Sequence, residues 1–315
     1  MKKEPLIQLI AAFLFITGVK AQSDINMTTH WYNRANYNPA SIAKVNYAYF
    51  FSNYRQQWMG VDGAPRVFNI QASEYIHKYR SAVGFSLVAD KLGVTQSYNP
   101  MITYAYRLAK SQNWALSLGL SAGVFSRTFD GTKFEAETST DQYITYERES
   151  TIAPDFNTGV ELQTTHFIIG LSSTHLASIS KPESDFKNTN HRYGYLIYKN
   201  TNLKSINYNL GTQVVNRRDI TILELNANIR FKRSTGLMDG AKEIFDLGFS
   251  YRTSRQMALI AGINILPNAR IAYVYEQCFQ NGYFRNNTHE IAIEWRIRNK
   301  AASDHNPCDN EYWYH

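Results

Sequence analysis

The stretch HEIAIEWRIR, residues 289–298, has two faces of opposite character. Strand side chains point alternately to opposite sides, so Ile291, Ile293, Trp295 and Ile297 share an apolar face, while Glu290, Ala292, Glu294, Arg296 and Arg298 share a polar one. A fold built from such segments must offer one face an apolar neighbour and the other a polar neighbour. The same period of two runs the length of the chain, and nothing has the period of a long amphipathic helix. ILELNANIRF sets Leu223, Leu225, Ala227, Ile229 and Phe231 against Glu224, Asn226, Asn228 and Arg230. WALSLGLSAGV sets Leu116, Leu118, Leu120 and Ala122 against Ala115, Ser117, Gly119, Ser121 and Gly123.

About fourteen such segments can be read: 45–54, 66–74, 80–90, 97–109, 114–127, 154–163, 165–173, 191–199, 203–215, 219–232, 243–252, 255–264, 269–277 and 288–298. Many are about ten residues long, the length a tilted strand needs to cross a bilayer. Soluble sandwich strands also alternate, but are nearer five or six residues. The apolar faces end in Tyr106, Tyr251, Tyr275 and Trp295, as an interfacial aromatic girdle would. Connections mostly alternate too: KSQN, TT, KNTN and LPNA are tight, though the same rim has longer ones around His77 and STGLMDGAK, whereas 128–153, 174–190 and 279–287 on the other rim are long. Short turns on one rim and long loops on the other mark an outer-membrane barrel, with the short rim periplasmic. The expectation is an all-β transmembrane barrel of about 14 antiparallel strands, oily face to lipid and charged face to the lumen. Arg107, Glu224, Arg230, Asp246, Arg252, Arg270, Glu276, Glu294 and Arg296 then face inward. Their mixed signs suit a salt-bridged, mostly filled lumen better than a selectivity lining.

Residues 1–21 have the form of a secretory signal peptide: Lys2 and Lys3, a short apolar core, then Val19 and Ala21 before the cut. Gln22 would begin the exported chain, and no Cys follows the cut to carry a lipid. The expected parts are this leader, a periplasmic or plug segment over 22–44, the barrel over 45–298 and a periplasmic tail over 299–315. Cys278 and Cys308 fall at opposite rims, separated by an apolar band about 25 Å tall, too far for a disulfide. The net charge of +7 is spread without a basic run, which argues against nucleic acid as a partner.

No phosphate-binding Gly loop, HExxH, GxSxG or CxxC occurs. His289 beside Glu290, and His175 after Ser172 and Thr174, are the pairs that invite an enzymatic reading; both read better as rim residues. Residues 130–142 are rich in carboxylates but lack the spacing of a calcium loop. No cofactor or metal is expected. The most distinctive stretch is 54–73, where Gly60, Gly63 and Pro65 specify a structured turn carrying Trp58 and Asp62. It reads either as a rim loop folded inward as a lid or as a plug or partner-contact loop.

YRQQWMGVDGAP in that stretch resembles the signature hairpin of the PorP/SprF family, outer-membrane proteins of the type IX secretion and gliding-motility system. NYNPASIAK, GFSLVADKLGVTQSYNPMITYAYRL, PDFNTGV…IIGLSSTHL, LELNANIRF, LGFSYRTS and HEIAIEWRIR resemble further family elements in the same order. The chain departs in the tail NKAASDHNPCDNEYWYH and in Ala-Ser-Ile-Ala after Pro39. The resemblance implies a non-enzymatic component needed to secrete a large adhesin or attach it to the cell surface. Implied partners are the C-terminal domain of the secreted protein, periplasmic components of the apparatus, and outer-membrane lipid. Arg55, Trp58, Gly60, Asp62, Gly63, Ala64, Pro65, Asp90 and Lys91 are the candidate plug or contact residues. Two alternatives stand: a solute channel with an open lumen, and an outer-membrane enzyme using His289 or His175.

Overall fold

Every strand of the computed structural model pairs antiparallel with its neighbours in sequence, and β1 closes the circle on β14. Residues 27–44, 47–110, 113–133, 147–177, 189–200, 205–218, 220–233, 242–279 and 287–298 are described. The expected leader, the tail and Cys308 lie outside them. The strands are β1 (Tyr47–Gln56), β2 (Arg66–Ile76), β3 (Ser81–Leu92), β4 (Thr95–Lys110), β5 (Trp114–Asp130), β6 (Arg148–Thr164) and β7 (Phe167–Thr174). The second half adds β8 (His191–Asn200), β9 (Ile206–Arg217), β10 (Ile220–Arg233), β11 (Lys242–Arg252), β12 (Gln256–Leu266), β13 (Ala269–Cys278) and β14 (Thr288–Arg298).

Register decides the faces. In the β13–β14 ladder Ile271 stands opposite Ile293 and Ala272 opposite Ala292, so the alternation of one strand is continued by the next. The outward set is bare: Ile102 is 71% exposed and Leu120, Leu171 and Leu259 are each 61% exposed. Such a belt is intolerable in water and required in hydrocarbon, and a closed barrel leaves no unpaired edge within it. The protein is an outer-membrane β-barrel, with the rim of the longest connections extracellular.

The three strands β4, β5 and β6 run 16, 17 and 17 residues, whereas β7 has 8. The barrel therefore rises higher on one side. This corrects the expected loop over 128–153: Thr128 pairs with Ser150 and Asp130 with Arg148, so both flanks are strand. Above the apolar band both faces meet water, and the alternation that marks a membrane strand is lost there. Similarly β1 is displaced, ending at Gln56 rather than Tyr54.

Candidate functional site: a filled lumen beneath an extracellular vestibule

Three short turns of 3-10 helix, Thr28–Trp31, Arg34–Asn36 and Pro39–Ile42, descend through the lumen before β1 begins. The last is set locally: Pro39 supplies the fixed φ of a helix start, and the Asn38 side chain accepts from Ala40 N at 3.0 Å. At the top, Thr28 N donates to Glu290 Oε2 at 2.9 Å and Thr28 Oγ1 to Glu276 Oε2 at 2.7 Å. Both carboxylates stand near the extracellular ends of β14 and β13. At the bottom, Ile42 and Ala43 pack against Tyr75, Ala82 and Ala105 near the periplasmic ends of β2, β3 and β4. The segment is a plug that runs from the extracellular side toward the periplasm.

Between those ends the plug is bonded to the wall in several directions. Tyr32 Oη donates to Asp246 Oδ2 at 2.6 Å, and Trp31 Nε1 donates to Glu224 Oε1 at 2.5 Å. Arg34 makes a two-pronged pair with Glu161, Nε to Oε2 at 2.9 Å and Nη2 to Oε1 at 3.3 Å. Tyr195 Oη and Gln163 Nε2 complete the shell of that carboxylate. Asn38 Nδ2 donates to Tyr195 Oη at 2.8 Å. Where the backbone leans closest, the wall carries no side chain: a Cβ on Gly119 would collide with Pro39 and Ala40, and one on Gly159 with Asn38. Shape and polarity both match, which is the condition for burying so many polar groups.

The wall's own charges form chains of alternating sign. Arg252 reaches Glu224 at 2.7 Å and Glu276 at 2.8 Å, and Arg55 reaches Glu276 at 2.7 Å and Glu290 at 3.2 Å. Arg270 bonds Asp246, Arg230 lies 3.2 Å from Glu243, and Arg296 lies 3.2 Å from Glu294. The inward residues Arg107, Glu224, Arg230, Asp246, Arg252, Arg270, Glu276, Glu294 and Arg296 are all buried; Arg296, the most accessible, is 7% exposed. Two further carboxylates hold the plug: Glu290, which the sequence already places on the inward face of residues 289–298, and Glu161, which lies outside that set. Their inward parity in GVELQ and HEIAI was readable, but nothing in the sequence says which inward carboxylate meets a second segment. Lys44, the last plug residue described, lies over the Tyr49 ring, 3.2 Å from its centre, and burial pushes its ammonium down to about 7.

Above the plug the lumen opens into a vestibule. Met27, His30, Asn36 and Tyr37 form its floor, and its walls come from the extracellular halves of the strands, including Asn69, Asp90, Asn99, Asn157 and Gln213. His175, at φ 56°, lines it with Nδ1 2.7 Å from Asp155 Oδ2, and Asn99 Nδ2 donates to the same oxygen at 2.7 Å. His289 and Glu290 do not form a pair: Glu290 is inside the barrel, while His289 bonds the Tyr273 hydroxyl on the outer face.

The hairpin carrying Trp58, Gly60, Asp62, Gly63, Ala64 and Pro65 stands on the extracellular rim and does not line the vestibule. Gly60 and Gly63 have φ of 91° and 70°, which their lack of Cβ permits. Gln57 N donates to Pro65 O at 2.9 Å across the turn, Met59 N to Asn287 O at 2.9 Å, and Gly93 N to Gly63 O at 2.8 Å. The hairpin is thus tied to the β3–β4 turn just beyond Asp90 and Lys91, and these residues form one platform. Asp90 faces the vestibule and Lys91 is exposed. Arg55 is elsewhere, fully buried beneath the platform and close to Thr28.

A family model described as "Type IX secretion system membrane protein PorP/SprF" matches residues 19–295. Comparison with curated proteins found no match. Among solved structures the barrel is similar to the Ralstonia pickettii toluene transporter TbuX, at 10% identity, TM-score 0.51, over 83% of this chain and 92% of that one. It is also similar to a Pseudomonas aeruginosa FadL homologue, at 10% identity, TM-score 0.43, over 82% and 92%. Acinetobacter baumannii Omp33 matches at 9% identity, TM-score 0.42, over 81% and 100%. These likenesses concern the fold alone.

Proposed function

The chain belongs to the PorP/SprF family of type IX secretion system membrane proteins, and from that premise we propose that it is a non-enzymatic anchor or docking component for a large secreted protein. The partner is the C-terminal domain of an adhesin-like cargo, with periplasmic components of the apparatus engaged from below. One observation carries the reading: the lumen is filled by the chain's own residues 28–44, bonded to the wall on several sides. A solute channel needs a continuous polar path, whereas an anchor needs a rigid body and a presented surface. The rim platform of Trp58, Gly60, Asp62, Gly63, Ala64 and Pro65 with Asp90 and Lys91 is the proposed contact surface. Arg55 supports it from inside by holding Glu276 and Glu290.

The test is affinity purification of the tagged, detergent-solubilised protein from its native membrane, with mass spectrometry of what is retained. Recovery of a secreted protein's C-terminal domain, lost on Trp58→Ala with the barrel still folded, supports the anchor. Recovery of no secreted protein from wild type overturns it.

A further inference from the structure

One outward position of the barrel breaks the rule that governs the others. In β2 the side chains of Phe68, Ile70, Ala72 and Ile76 face lipid, and Glu74 stands among them, exposed on the same face. Among the outward strand positions described it is the one carboxylate, and no described cation pairs with it. Register gives its place in the belt. Glu74 stands opposite Val83 and Val83 opposite Tyr104, so the carboxylate shares a cross-strand row with an aromatic whose next outward neighbour along β4 is Tyr106 of the girdle. Ile76, 37% exposed, lies between Glu74 and the periplasmic turn. Beside the carboxylate the wall is recessed. Ala48 and Ala72 lie low between Phe50, Phe85 and Ile297, a shallow apolar trough that Glu74 borders on its periplasmic side. Lys78 and Arg80, both exposed, stand on the turn between β2 and β3.

We propose that this trough binds a zwitterionic aminophospholipid of the periplasmic leaflet, with an acyl chain along Ala48 and Ala72, its ammonium on Glu74 and its phosphate on Lys78 and Arg80. The charges decide the class. An anionic lipid brings phosphate to the basic turn but leaves Glu74 in the apolar belt without a cation, an arrangement membrane proteins avoid. A plain hydrocarbon serves neither charge. A headgroup carrying both signs matches a surface carrying both signs, and basic side chains beside a membrane strand hold lipid phosphate. The small side chains fit the same occupant: Ala48 and Ala72 leave room for a chain where Ile102 and Leu120 elsewhere on the belt stand out from the wall. The site lies at the opposite rim from the Trp58 platform and is independent of the docking reading.

The experiment is native mass spectrometry of the purified, delipidated protein in detergent, titrated with an equimolar mixture of phosphatidylethanolamine and phosphatidylglycerol of the same acyl chains. Wild type should retain phosphatidylethanolamine about fivefold over phosphatidylglycerol, the worth of one exposed ion pair. Glu74→Gln, which faces lipid and removes no bond within the protein, should bring that ratio to about one. Equal retention by wild type, or an unchanged ratio in Glu74→Gln, overturns the proposal. Glu74→Lys supplies a second reading: the preference should turn toward phosphatidylglycerol, and a persisting preference for phosphatidylethanolamine overturns the proposal as well. Ala72→Phe fills the trough without touching a charge and should reduce retention of both lipids; unchanged retention contradicts the acyl-chain placement. Heat-modifiable migration in SDS gels confirms that each variant is a folded barrel before its lipids are read.

Discussion

Arg34→Leu removes the central bond between plug and wall. Arg34 is 2% exposed and Glu161 1% exposed, so the variant leaves a carboxylate buried without its cation. Breaking a buried ion pair from one side costs about 3–5 kcal/mol. Tyr195 and Gln163 still donate to Glu161, which puts the cost at the lower end, about 3 kcal/mol. At about 1.4 kcal/mol per tenfold, the open state of the plug rises by roughly a hundredfold. Hydrogen exchange with mass spectrometry reads this on peptides covering residues 28–44, with barrel-strand peptides as internal reference. Arg34→Leu should speed exchange of the plug by about that factor and leave the strands within error. Adding Glu161→Leu removes the stranded charge and should restore most of the protection, to within about 1 kcal/mol. Unchanged exchange in the single variant, or a double variant as fast as the single, would refute the claim that this pair holds the plug.

Gly119→Val forces a side chain into Pro39 and Ala40, more than the usual overpacking cost of about 1–3 kcal/mol can absorb; increased proteolysis within 28–44 checks it, and an intact, protected plug contradicts it. Lys44→Met removes an ammonium whose folded-state pKa, about 7, lies below the ordinary 10.5. Burial thus disfavours the charged form, a penalty complete below about pH 7 that fades toward 10.5. The variant's unfolding temperature in detergent should exceed wild type most at pH 6, the gap narrowing by pH 9; a gap independent of pH refutes the assignment. Cys278, free at the extracellular end of β13, should react with an impermeant maleimide on intact cells, and reaction only after permeabilisation would invert the topology.

Much of the barrel is written plainly in the sequence, because lipid imposes one rule on every strand. Leu225, Phe249, Tyr273 and Ile291 must face hydrocarbon, and the period of two then fixes Glu224, Ser250, Ala272 and Glu290 as inward. The rule stops at the membrane surface, and so did the reading: Thr128 and Ser150 are strand, yet nothing in their neighbourhood alternates. The plug was harder for a different reason. Residues 28–44 have no period, since their side chains meet many different strands, Thr28 at β14, Tyr32 at β11, Arg34 at β6. One trace of it was present on the wall. The inward positions Ala115, Ser117, Gly119, Ser121 and Gly123 of β5 are uniformly small, and Pro39 and Ala40 of the plug lie against Gly119. The Trp58 hairpin was recognisable as a structured turn, but its ties to Gly93 and Asn287 join distant loops that no local pattern connects.

The central claim is that the barrel is closed by its own amino-terminal segment. Single-channel recording of the purified wild-type protein in a planar bilayer tests it most directly. The account predicts a silent bilayer for wild type and stepwise conductance only when residues 22–44 are deleted. Steady ohmic steps from intact wild-type protein would contradict it and leave the channel reading in its place.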